Sequence, residues 1–164
     1  MSERQTTDDT PLAVAGCLVF DELGRLLLLK RHSAGLGGGR WAVPGGKQEP
    51  GEAAAAAVRR EVAEETSIVT GVVECLGRHE IRMPHGPVRM KTYKTVVPSD
   101  TAVTLNPEEH EAFRWFELPE LLTAEGVIWA LPTMLRDFGL IEELEVDPTL
   151  ADGSTAMLRE LKTR

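Results

Sequence analysis

The chain has 164 residues, 42% of them hydrophobic and 27% charged, which suits one folded domain with terminal extras and excludes wholesale disorder. Its net charge of −8 repels nucleic-acid backbones, so we expect no nucleic-acid partner. Two cysteines, expected as buried free thiols, exclude a disulfide framework. Because no apolar run approaches the roughly 18 residues that span a bilayer, and the N-terminus lacks a signal-peptide core, we expect a cytoplasmic protein without a membrane partner.

The predicted elements alternate between strands and helices. Apolar runs at 12–20 and 26–30 predict two strands, joined as a hairpin by turn residues 21–25. An alanine- and glutamate-rich run at 52–66 predicts a helix. The other predicted elements are loops at 33–39, 45–51 and 98–109, strands at 41–43, 68–82, 88–97 and 112–116, and helices at 118–122 and 127–138, the last with Pro132 as a kink or a start.

This order of elements predicts a single α/β or α+β domain. We expect the domain to span residues 11–140, after a flexible leader at 1–10. A C-terminal extension at 141–164 carries two weak elements, and we expect it to be partly mobile.

A cluster of carboxylates on the predicted helix at 52–66 is the strongest chemical signal. At about 100° per residue, Glu64 falls about 60° to one side of Glu61 and Glu65 about 40° to the other. Like charges at this spacing destabilise an isolated helix, and a hard divalent cation would relieve the repulsion. A solvated acidic face is the alternative, and it is the commoner explanation of a charge run.

Two neighbouring features suit a phosphate ligand. The glycines before the helix, Gly45 and Gly46, let the backbone approach a ligand or lend a carbonyl to a metal. Arg60 neighbours Glu64 around the helix and could hold a carboxylate by a two-pronged hydrogen bond.

The spacing of these residues resembles the Nudix box. The matching positions are Gly46, Glu52, Arg60, Glu61, Val62, Glu64, Glu65 and Ile68, with Ser67 in place of the second glycine. The preceding residues 41–46 are similar to the usual approach to that box. The resemblance covers about residues 12–138 and implies an α/β/α sandwich around a mixed β-sheet, with the box as loop, helix and loop.

The resemblance also implies a chemistry. Nudix enzymes cleave a pyrophosphate bond in a nucleoside diphosphate linked to another group, and the implied cofactor is Mg²⁺, which Mn²⁺ could replace. Glu64 and Glu65 would ligate the metal, helped by Glu61 and the Gly45 carbonyl. The pair formed by Arg60 and Glu52 would orient the helix.

The segment 109–115 is similar to one that many Nudix enzymes carry after the sheet. It offers Glu109 and Glu111 as candidates for a further metal ligand or the general base, and Glu61 is a third candidate for the base. We expect His110 to be a loop histidine with a local hydrogen bond.

Several cationic residues are candidates for phosphate contacts. Arg31 and Arg40 lie near the box, and the Gly46 backbone belongs to it. Arg82 and Arg89 lie on the predicted hairpin at 76–97, where solvent-facing positions of an antiparallel sheet are the alternative explanation.

The expected partner is a small-molecule nucleotide, and a homodimer remains open. A nucleoside triphosphate or a related nucleotide is the first choice of substrate, with ADP-ribose or a dinucleoside polyphosphate as alternatives. An alternative of another class is a Nudix-like nucleotide-binding regulator without turnover.

Ser67 is the departure from the motif. A glycine at a helix C-terminus usually adopts a left-handed conformation, which costs another residue about 1 kcal/mol. The sequence therefore predicts either a strained Ser67 or a different helix end.

Overall fold

The computed structural model describes residues 10–32, 38–83, 86–128 and 130–141. The predicted leader, apart from Thr10, and the extension beyond residue 141 lie outside the described residues, as do residues 33–37 of the predicted loop. The strands are β1 (Leu12–Asp21), β2 (Leu26–Arg31), β3 (Trp41–Ala42), β4 (Gly45–Lys47), β5 (Glu74–Met83), β6 (Gly86–Val97) and β7 (His110–Phe116). The α-helices are α1 (Ala54–Thr66) and α2 (Ala130–Asp137), and Leu118–Leu122 forms a 3-10 helix.

Strand β1 is the axis of a mixed sheet. It pairs in parallel with β6 along its whole length, from Leu12 opposite Val88 to Asp21 opposite Val97. Strands β3, β2, β1, β6 and β5 follow one another across the sheet, while β4 attaches to β1 and β7 to β2. The predicted α/β class with a mixed sheet is confirmed.

The two faces of β1 pack against different helices. Cys17 and Val19 belong to a buried cluster that includes Val58 and Val62 of α1. Leu18 and Phe20 belong to a second cluster, with Leu131 and Leu135 of α2. Because both faces of β1 and β2 are covered, these strands appear in the sequence as continuous apolar runs rather than alternating ones.

The predicted hairpin of β1 and β2 is confirmed, although it is short. The Asp21 carboxylate accepts hydrogen bonds from the backbone N–H groups of Leu23 and Arg25, at 3.0 and 2.9 Å. The two strands pair only between Phe20 and Leu26, because β2 then diverges to pair with β7.

Several predicted boundaries are wrong. Residues 45–47, predicted as loop, form β4 and pair with residues 14–16 of β1. The strand predicted from residue 68 begins at Glu74, where its pairing with β6 starts opposite Lys94.

Smaller corrections concern the helices and one cysteine. Helix α1 begins two residues later than predicted, and α2 three residues later, with Pro132 in its first turn as a helix start. Cys17 is buried as expected, whereas Cys75 is exposed. In the described part of the chain, none of the helices has the length and apolar character needed to cross a membrane.

Candidate active site

Glu65 is a buried carboxylate at the end of helix α1. It is 5% exposed, and the backbone N–H of Gly45 donates to its Oε2 at 3.1 Å. Burial, with a smaller contribution from the charges of Glu61 and Glu109, raises the pKa of Glu65 to about 8 against the opposing Gly45 hydrogen bond. Near neutral pH this carboxyl therefore holds a proton unless a cation lies beside it.

Arg60 organises the carboxylates on the solvent side of Glu65. Its Nε and Nη2 donate to the two oxygens of Glu52 at 2.8 and 2.9 Å, so the two-pronged bond is made to Glu52. Its Nη1 donates to Glu61 at 3.0 Å and, at 3.3 Å, to Glu64. The hydrogen bonds from Arg60 lower the pKa of Glu52 to about 2. One arginine thus ties the start of the box to the helix.

Gly46 allows the Glu61 carboxylate to lie against the backbone of β4. A Cβ atom at Gly46 would stand 2.5 Å from Glu61 Cδ, closer than real contacts permit. Burial raises the pKa of Glu61, and the hydrogen bond from Arg60 opposes that rise. A side chain at this position would therefore displace the Glu61 carboxylate.

The start of strand β7 brings two further groups to Glu65. One ligand atom each of Glu65, Glu109 and His110 lies within 4.8 Å of the other two. His110 is 7% exposed, and its Nδ1 is buried without a hydrogen-bond partner among the described residues. Burial lowers the pKa of His110, and the charge of Arg31 lowers it further, so the imidazole is neutral at pH 7.

The prediction for His110 is wrong. It begins β7 opposite Arg31, two residues before the predicted strand start, and it is buried rather than part of a polar loop. The sequence signal is weak because residues 106–111 are almost all polar. The one sequence signal for burial of His110 was the aromatic strand predicted at 112–116, extended two residues toward the N-terminus.

The other predicted acids lie differently. The Glu64 side chain is 55% exposed, so it stands at the solvent edge of the face that Glu61 and Glu65 share. Glu111 forms an ion pair with Lys30 at 3.3 Å and lies outside the group of Glu65 and Glu109. Of the two downstream candidates, the structure brings Glu109 to Glu65.

A cavity of about 390 Å³ adjoins the acidic cluster. Its walls come from strands β1 to β6 and from α2, and they include Leu12, Val14, Ile81, Met90 and Met134. Among the described residues that line it, Arg31 and Lys47 are the charged ones. This volume falls within the range of roughly 300–1,000 Å³ typical of small-molecule sites.

The predicted phosphate contacts separate into two groups. Arg31 and Gly46 line the cavity. Arg40, Arg82 and Arg89 are exposed and lie outside its lining. Arg89 donates to Glu80 at 3.1 Å, which agrees with a solvent-facing sheet position.

The donor set fits a divalent cation. Carboxylates and a backbone carbonyl are the ligands that hard cations prefer, and the charge of Glu109 is close enough to raise the pKa values of both Glu61 and Glu65. A cation bound among these carboxylates would remove the repulsion between them and would coordinate their buried oxygen atoms.

Known proteins resemble this chain over most of the described region. The family model "NUDIX domain" matches residues 10–138. A solved structure of a MutT protein from Methanosarcina mazei Go1 is similar with a TM-score of 0.72 and 27% identity, covering 80% of this chain and 95% of that one.

Two curated relatives are also similar to this chain in sequence. An octanoyltransferase from Myxococcus xanthus is 35% identical over 102 residues, 60% of this chain and 28% of the relative. A CTP pyrophosphohydrolase from Escherichia coli (strain K12) is 31% identical over 104 residues, 63% of this chain and 75% of the relative. The match spans less than a third of the length of the octanoyltransferase and of two further relatives.

Proposed function

Because the chain belongs to the Nudix family, we propose that it is a metal-dependent hydrolase that cleaves a phosphoanhydride bond of a nucleoside triphosphate or another nucleoside diphosphate derivative. The buried Glu65 carboxylate, grouped with Glu109 beside a ligand-sized cavity, carries the proposal. An ionised carboxylate this far from water is stable only with a positive partner. The similarity to a CTP pyrophosphohydrolase supports a nucleotide as substrate.

Mg²⁺ is the proposed cofactor, and Mn²⁺ would substitute for it. Glu61, Glu65, Glu109 and the Gly45 carbonyl would hold the ion, with Glu64 on the solvent side. A cation bound there would neutralise phosphate oxygens and would lower the pKa of the attacking water molecule.

The protein's own residues would position the reactants. Arg60 fixes the Glu61 carboxylate at 3.0 Å and holds the helix to Glu52. Glu61 and Glu109 are the candidates for the proton acceptor, because the Glu111 carboxylate already pairs with Lys30.

The cavity would receive the rest of the nucleotide. Arg31 lines it and acts on Glu65 by its charge, so the phosphates would lie at this end. The remaining walls are largely aliphatic and thioether groups, which offer few hydrogen bonds to the edge of a base. We therefore expect the protein to hydrolyse nucleotides that carry different bases rather than to select one base strictly.

A nucleotide panel with Mg²⁺ or Mn²⁺ tests the proposed function. Release of pyrophosphate would indicate cleavage of a triphosphate at the α–β bond, whereas AMP with ribose phosphate would indicate ADP-ribose as substrate. Nucleotide binding without any turnover would instead identify a regulator. Full turnover in excess chelator, with no metal retained by elemental analysis, would contradict the mechanism.

A matched pair of variants shows which of the two downstream carboxylates serves the reaction, as a metal ligand or as the proton acceptor. Glu109→Gln should lower turnover far more than Glu111→Gln, because only Glu109 lies in the group with Glu65. The opposite order would assign the role to Glu111.

A further inference from the structure

His110 is a buried polar side chain, and one of its ring nitrogens lacks a hydrogen-bond partner among the described residues. It is 7% exposed at the start of β7, and its Nδ1 meets no hydrogen-bond partner within the described residues. Burying such an atom without a partner is costly, so native proteins rarely leave one unsatisfied. The atom therefore requires a ligand or a hydrogen-bond partner that the described residues do not supply.

The position of His110 identifies the kind of ligand. A ring nitrogen of His110 and one carboxylate oxygen each from Glu65 and Glu109 lie within 4.8 Å of one another. Two ligand atoms on opposite sides of one ion stand about 4.2 Å apart when each bond is about 2.1 Å long. The three groups could thus meet a single cation after a small adjustment.

His79 shows what a histidine outside this site looks like. Its Nδ1 is also buried without a partner among the described residues, but its other ring nitrogen pairs with Asp137 at 3.0 Å and its ring packs edge-on against Phe138. His79 is therefore held by α2 and its neighbour, whereas a ring nitrogen of His110 lies within 4.8 Å of two carboxylate oxygens.

We infer that His110 supplies a nitrogen ligand to the cation held by Glu65 and Glu109, and that this donor makes the site prefer a first-row transition ion to Mg²⁺. The inference rests on the proposed function only in requiring a cation at Glu65. Imidazole nitrogen favours ions such as Co²⁺ and Ni²⁺, whereas Mg²⁺ is held by oxygen. Mg²⁺ can still bind through the carboxylates, but the histidine does not increase its affinity.

The test compares metal binding by the full chain and its histidine variants. Calorimetric titration with Co²⁺ and with Mg²⁺, in the absence of nucleotide, gives two dissociation constants for each protein. His110→Gln should raise the Kd for Co²⁺ at least ~10-fold and the Kd for Mg²⁺ less than ~3-fold. In the Co²⁺ form of the parent protein, proton NMR should show a strongly shifted, solvent-exchangeable imidazole proton that His110→Gln lacks.

Single variants of the other three histidines serve as controls and do not require His110→Gln to fold. His32 is the important one, because its charge acts on His110. His32→Gln, His79→Gln and His85→Gln should each keep the shifted proton, and its loss in any of them would overturn the assignment.

The remaining outcomes separate this inference from the proposed function. Equal Co²⁺ affinity in the parent and His110→Gln, with no shifted imidazole proton in the parent, would overturn the role of His110 and leave the carboxylate site intact. A parent protein that binds neither Co²⁺ nor Mg²⁺ would overturn both.

Discussion

Helix α2 follows the rules that stabilise an isolated helix, whereas helix α1 breaks several of them. In α2, Met134 and Leu135 lie on one buried stripe and Arg136 stands in the last turn, where a cation interacts favourably with the helix dipole. Helix α1 begins after Ala53, whose side chain cannot cap it, and places Glu64 and Glu65 in its last turn, where negative charge is unfavourable.

Two contacts hold α1 to the neighbouring parts of the site. Glu65 accepts a hydrogen bond from Gly45, and Arg60 ties the helix to Glu52. The difference between the helices teaches that the sequence of α1 is adjusted to the site rather than to helix stability, while α2 is a packing element. Places where local preferences are broken commonly mark function.

A core substitution in α2 should affect stability alone. Leu135 is fully buried and lies outside the cavity lining, so Leu135→Ala should lower the free energy of unfolding by about 2–5 kcal/mol. The folded protein should keep its Mg²⁺ affinity. Urea unfolding and calorimetric titration measure the two quantities, and a Mg²⁺ affinity that falls along with stability would show that the helices are not independent.

A charge removal in α1 should affect chemistry alone. Glu64→Gln should lower turnover at least ~10²-fold, about 2.7 kcal/mol of activation free energy. The metal-free protein should be equally stable or more stable by a few tenths of a kcal/mol, because like charges on one helix face repel. Glu22→Gln, at an exposed turn position, is the matched control. Unchanged turnover in Glu64→Gln would show that Glu64 is an ordinary surface glutamate.

The pH dependence of stability should distinguish Glu65 from ordinary acids. Its pKa rises from a usual value near 4.5 to about 8 in the folded protein, so the folded state binds the proton more tightly than the unfolded state. The metal-free protein therefore loses stability as the pH rises from about 4.5 to 8, by up to about 1.4 kcal/mol per pH unit from this group. Glu65→Gln removes that loss.

Denaturant unfolding of the parent and Glu65→Gln at several pH values isolates this contribution, because the other groups cancel in the difference. The difference should grow in favour of the variant up to pH 8 and then stay level. If the difference in unfolding free energy did not change with pH, the pKa of Glu65 would be the same in the folded and unfolded states.

Ser67→Gly should have the smallest effect. Ser67 has φ 61° and ψ 14°, and it is the one non-glycine residue with a positive φ in the described ranges. Glycine should relieve this conformation and stabilise the protein by up to about 1 kcal/mol, with turnover little changed. The Ser67 hydroxyl donates to the Thr104 carbonyl at 3.3 Å, so a clear loss of stability would show that this bond outweighs the strain.

The parts of the fold that the sequence predicts are those whose local pattern decides the outcome. Continuous apolar runs predict β1 and β2 because both of their faces are buried. The alanine- and glutamate-rich run predicts α1 because propensity and spacing agree there. At Ser67 the motif predicts either a strained left-handed residue or a different helix end, and the structure has the left-handed residue.

The parts that the sequence misses depend on distant partners. Strand β4 forms from glycines because residues 14–16 lie beside it, and no local pattern indicates that pairing. The motif identifies Glu61, Glu64 and Glu65, but the buried Glu65 carboxylate is held against Gly45 of β4, and His110 is placed by the pairing of β7 with β2. Tertiary contact, not propensity, decides these features.

Metal-dependent thermal stability tests the central claim that α1 is built around a cation. At pH 8.5 the melting temperature of the parent and of Glu65→Gln is measured with and without Mg²⁺. Binding at 100 times the Kd stabilises the native state by about 2.7 kcal/mol, so Mg²⁺ should raise the parent's Tm by several degrees. Without Mg²⁺, the variant should melt at the same temperature as the parent or higher, and added Mg²⁺ should change its Tm little. An equal rise in both proteins, or no rise in either, would contradict the claim.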